Sequence, residues 1–120
     1  MSNQCSNIAT SLETSLEYRH SQEFPNPFYV IVHAKDAAKD KIQRKHGSFR
    51  RTLEAIESIR RNYDHAEING SPKLIPQSLP DNRPILVCGF FRDACVAEQA
   101  KALLKKGYKT YISLEGTFPN

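Results

Sequence analysis

The chain has no run approaching the roughly 20 consecutive apolar residues that a membrane helix requires. Its opening, MSNQCSNIATSLE, lacks the charged start and apolar stretch of a secretion signal. A cytoplasmic protein that does not enter a membrane is the expectation. Paired cysteines are also missing. Cys5, Cys88 and Cys95 are odd in number and contain no CxxC, which argues against both a disulfide framework and a zinc site. His20, His33, His46 and His65 lack ligand spacing, so no metal and no other cofactor is assigned. There is no internal repeat.

What is present suits one compact domain spanning 1–120: 120 residues, 39% of them hydrophobic and 25% charged. The formal charge is +4, with basic residues crowded between Lys35 and Arg61. Acidic residues are interspersed there and no aromatic stacking platform accompanies them. The stretch therefore reads as a solvated face, and nucleic acid is disfavoured as a partner.

Residues 1–20 read as an N-terminal helical segment, since Thr10 stands three places before Glu13 and Ile8, Leu12 and Leu16 recur at helical spacing. Two prolines in FPNPF stop it, and Phe28 to Val32 form an apolar, β-branched run, the signature of a buried strand. A Lys-rich loop or frayed helix follows up to Gly47, with Ser48 as a helix cap. Phe49, Leu53, Ile56 and Tyr63 then share one stripe of an amphipathic helix over 48–62. The five Gly and Pro residues between Gly70 and Pro84 predict an irregular excursion, with a short strand at Lys73 to Ile75. ILVCGFF reads as a central parallel strand ending near Cys88. Asp93 is placed to cap a helix from Ala94 to Lys106 that stops at Gly107, and Lys109 to Leu114 alternates as a further strand. A strand, helix, strand unit of this length crosses over into parallel pairing. The fold class is α/β: three layers, with a small, mainly parallel central sheet flanked by helices.

Ligands of open parallel sheets bind beyond the carboxyl ends of the strands, here the loop Cys88 to Asp93 and the helix start that carries Cys95. Amides at a helix N-terminus attract anions and favour a thiolate over a thiol, and Arg92 would add to that field. A thiolate so placed is a candidate nucleophile. The alternative is that Cys88 is a buried strand residue and Cys95 a small packing residue, because free cysteine is among the most buried residue types. Asp93 weakens the anion-binding case, since a carboxylate cap occupies the helix amides and repels an anion.

Two family resemblances bear on these residues. LLKKGYKTYISLEGTF, LPDNRPILVC, EINGSPKLIP and YVIVHAK together resemble rhodanese-like domains from the first strand to the end of the chain. That resemblance implies a sulfurtransferase or persulfide carrier with Cys88 carrying the sulfur. The amides of Gly89, Phe90, Phe91, Arg92 and Asp93 would cradle it, and Arg92 would draw in a small anionic sulfur donor. Three residues separate Cys88 from Arg92 where the family has four, Phe90 and Phe91 stand where small residues are usual, and His33 and Lys35 replace Asp and Arg. These departures imply a second possibility, a non-catalytic module that binds a protein partner through the basic helix 48–62. The run VCGFFRDACVAEQAKALLKKGY is similar to isochorismatase-like cysteine hydrolases. It implies Cys95 as nucleophile, with Lys45 as its general acid or base.

Overall fold

A computed structural model describes residues 16–37 and 47–119. The expected N-terminal helix and Lys45 therefore lie wholly or largely outside the described residues. Five strands, all parallel, form the sheet: β1 (Tyr18–Arg19), β2 (Phe28–Val32), β3 (His65–Ile68), β4 (Ile85–Gly89) and β5 (Thr110–Thr117), in the order β1-β5-β4-β2-β3. Among the described residues two helices cover it, α1 (Gly47–Asn62) and α2 (Ala97–Lys105). A single helical turn, Ala34–Ala37, follows β2.

The layering follows from crossover geometry. From β2 the chain steps through α1 to β3 on one side of the sheet, and from β4 it steps through α2 to β5 on the other. Right-handed crossovers running in opposite directions must place their helices on opposite faces. The period of two along each strand then divides the core. Tyr29, Ile31, Leu86 and Cys88 pack with Phe49, Ile56 and Ile59 of α1, whereas Val30, Val32, Ile85 and Val87 pack with Ala100 and Leu103 of α2. Fully burying each of these aliphatic side chains contributes about 1.5–3 kcal/mol, so the unbroken apolar spelling of β2 and β4 reflects burial on both faces.

Several sequence expectations shift. β1 forms at Tyr18–Arg19, within the segment expected to be helical. Lys73 to Ile75 forms no strand; the edge strand beside β2 is β3, whose alternation is diluted by His65 and Glu67. The excursion after it is anchored to α2 by the buried Gln99, whose Nε2 donates to the carbonyls of Pro72 (2.8 Å) and Leu74 (2.9 Å). Ser48 lies inside the first turn of α1, its carbonyl accepting from Thr52 Oγ1, so it does not cap the helix. Asp93 is not the cap residue of α2 either, since the N-cap position is held by Val96. Arg92–Val96 form a wide, kinked turn in which Ala94 leaves helical geometry (φ −121°, ψ −105°), and α2 starts three residues later than expected.

β5 is the longest strand because it carries an insertion. Val87 of β4 pairs with Ile112, yet Gly89, two residues on, pairs with Thr117. Ser113 to Gly116 therefore bulge out of register. Thr117 Oγ1 donates to the Ser113 carbonyl (2.6 Å) and the Gly116 amide donates to Ser113 Oγ (3.0 Å), which closes the bulge on itself.

Candidate functional site

Connections leave β2 and β4 toward opposite faces, so the crevice between their carboxyl ends is the topological switch point, the preferred ligand site of an open α/β sheet. Cys88 is the penultimate residue of β4 and sits at that point. Strand alternation turns its side chain toward α1, where it is 0% exposed among Tyr29, Ile31, Phe49 and Phe90. Burial pushes the thiol far above its ordinary range. A hydrogen bond with Ser113 pulls the other way and is outweighed, and Glu115 adds to the rise.

Three features seal the crevice. Gly89 takes φ +117°, and a Cβ there would stand 2.0 Å from the Val32 carbonyl oxygen, so only glycine lets β4 lie this close to β2. The Phe90 amide donates to that same carbonyl (3.0 Å), and the Phe90 ring packs on Phe49 with centroids 4.8 Å apart. From the β5 side, Gly116 rests on the cysteine: a Cβ there would lie 2.8 Å from Cys88 Sγ. Phe91 and Phe118 complete an aromatic cover, their rings 6.0 Å apart.

Two of the five amides expected to cradle an anion, those of Phe90 and Arg92, are committed within the protein, as are those of Ala94 and Val96 just beyond them. Phe90 donates to Val32, Arg92 to the Phe118 carbonyl (3.0 Å), and Ala94 and Val96 both to the Phe91 carbonyl (3.0 and 3.1 Å). Arg92 is drawn inward as well. Its Nε donates to Thr117 Oγ1 (2.8 Å) and its Nη2 to the carbonyls of Leu114 (3.0 Å) and Thr117 (3.3 Å), pinning the loop to the β5 bulge. Asp93 is exposed. Cys95 is half-buried against the α2-side core, across the sheet from Cys88, so the two thiols do not share a site. His33, at the end of β2, takes a left-handed conformation (φ 57°) and pairs its Nε2 with the Gly70 carbonyl (2.8 Å). Among the described residues no group of three or more His, Cys, Asp or Glu could hold a metal ion, and no helix is long and apolar enough to cross a membrane.

A second concave region was not foreseen from the sequence. A cleft of about 400 Å³ opens on the α1 side of the sheet, lined by His20, Ser21, Phe24, Tyr29, Tyr63 and Glu115 among others. Glu115, in the β5 bulge, accepts from the Ser21 amide (2.7 Å) and Ser113 Oγ (3.1 Å) at Oε1 and pairs with His20 Nδ1 (3.1 Å) at Oε2. Burial raises its pKa, but hydrogen bonds from Ser21, from its own backbone and from His20 outweigh burial and hold the carboxyl below its ordinary range. The sequence carried one sign of this arrangement. Ser113 and Glu115 are polar where a strand of this sheet should be apolar.

No protein-family model, curated protein or solved structure matches the chain.

Proposed function

We propose that this chain is a rhodanese-like α/β domain whose sulfur-transfer position is closed, serving as a non-catalytic module that binds a protein partner. The observation that carries the reading is the Cys88 sulfur, fully buried and covered by Gly116, at the place where a sulfur carrier needs an open, ionisable thiol. Phe90 supports the reading by filling the space beside it, and Arg92 by its internal hydrogen bonds. A transferable persulfide must be reached by donor and acceptor in turn, and neither has a path to a residue with no exposed surface. The outer face of α1 carries the exposed Arg50, Arg51 and Arg61 beside the exposed Glu54 and Glu57, and this excess of arginine favours an anionic partner.

Incubation of the folded protein with thiosulfate, followed by intact mass measurement, tests this. The expected result is no sulfur adduct. An adduct present in wild type and in Cys95→Ser but absent from Cys88→Ser would establish the sulfurtransferase or persulfide-carrier reading instead. The hydrolase reading makes Cys95 the fast-reacting thiol at neutral pH with a carboxylate in hydrogen-bond reach. No observation specifically favours it here.

A further inference from the structure

The cleft beside Glu115 has the chemistry of a cation site. Its walls include the rings of Phe24, Tyr29 and Tyr63, with Tyr29 and Tyr63 centroids 5.2 Å apart and Tyr63 49% exposed. Aromatic faces attract cations through their quadrupole. Among the described residues that line the cleft there is no Lys or Arg, and Glu115 is the one carboxylate. At about 400 Å³ it falls within the range of small-ligand sites.

The acceptor geometry of Glu115 narrows the choice of cation. Oε1 already accepts two hydrogen bonds, from the Ser21 amide and the Ser113 hydroxyl, whereas Oε2 has one partner, the His20 ring. A carboxylate oxygen offers two lone-pair directions. Among the described residues one acceptor direction on Oε2 therefore remains, beside an imidazole whose side chain is 57% exposed. A guanidinium seeks two parallel hydrogen bonds to both oxygens. An ammonium is a compact point charge that needs only one.

We propose that this cleft binds a primary ammonium carried on a short apolar stem, the charge on Glu115 Oε2 and the stem among Phe24, Tyr29 and Tyr63. The site is independent of whether Cys88 carries sulfur. Hexylamine, hexylguanidine and hexanol serve as probes at neutral pH, with amide chemical shifts of the labelled protein as readout. Hexylammonium is expected to shift Ser21, Tyr63 and Gly116 selectively, and hexanol and hexylguanidinium to bind at least about tenfold more weakly. Glu115→Gln should weaken hexylammonium by about tenfold. Tyr63→Ala, at an exposed ring, should also weaken it and provides a second test if Glu115→Gln fails to fold. The peptide acetyl-Leu-Lys-Leu-amide separates two sources of the same chemistry: tighter binding than hexylamine assigns a lysine of a polypeptide, weaker binding a free amine. Equal affinities for hexylamine and hexanol would overturn the proposal, as would the absence of cleft shifts at roughly 10 mM hexylamine or binding unaffected by both variants.

Discussion

Replacing Gly116 with alanine probes the closure of the switch point directly. The added methyl would stand 2.8 Å from Cys88 Sγ, 2.9 Å from Ser113 Oγ and 3.3 Å from Cys88 Cβ. Both residues are fully buried, so neither can swing into solvent. Forcing a methylene into a packed core costs about 1–3 kcal/mol, while the stiffer unfolded chain returns about 0.4–1 kcal/mol. At the middle of both ranges the expected net loss is about 1.3 kcal/mol, read as a lower urea midpoint at unchanged slope. A cycle with Cys88→Ala sharpens the test. Removing the sulfur eliminates the closest contact but leaves Ser113 Oγ, so the double variant should recover part of the loss, with a coupling of about 0.5–1.5 kcal/mol. If Gly116→Ala is as stable as wild type, or if the two changes are strictly additive, Gly116 does not press on Cys88 and the closed-site reasoning fails.

Other consequences can be measured separately. In native protein at neutral pH, Cys95 should alkylate readily and Cys88 only through unfolding, so the Cys88 rate should climb with urea along the stability curve; a Cys88 as fast as Cys95 without denaturant would contradict its burial. Phe90→Ala should cost about 3–5 kcal/mol by leaving a cavity against Phe49, seen as a large fall in the urea midpoint, whereas Phe91, only partly buried, should lose less on truncation. Arg92→Met should destabilise by about 1–3 kcal/mol, since it leaves the Leu114 and Thr117 carbonyls without this donor, and should speed Cys88 alkylation by loosening the β5 bulge. Acid should weaken the fold through Glu67, held low chiefly by its hydrogen bonds from Arg60, and through Glu115. Folded pKa values below the ordinary 4.5 mean stabilisation present above that pH and lost as pH falls through the folded values. Glu67→Gln should flatten the acid limb of a stability-against-pH curve, and an unchanged limb would refute that assignment.

The parts of the fold legible in the sequence are those governed by local pattern over enough residues. Phe28–Val32 and Ile85–Gly89 declare themselves through unbroken apolar runs, α1 through its stripe, and the end of α2 through Lys105 and Gly107. β1 and β3 were missed because they hold two and four residues at the sheet edges, and their pairing with β5 and β2 is a tertiary fact. Asp93 has the composition of a cap and so points to a start for α2 at Ala94, three residues before the true one, and no local pattern reveals the kink there.

The candidate site illustrates a different limit. The position of Cys88 at a strand end was readable, but whether a residue at a strand end faces solvent or core depends on what the next loop and the neighbouring strand place over it. Here the cover comes from Gly116, 28 positions away in sequence and delivered by a bulge that no periodicity reveals. The segment Ser113 to Gly116 does two jobs at once. Its glycine closes over the sulfur, and its glutamate ties the N-terminal turn at Ser21 to the sheet while facing a cleft on the α1 side. The residues that suggested a sulfur chemistry at Cys88 therefore act in closing that site, and the accessible carboxylate they create lies elsewhere, at Glu115.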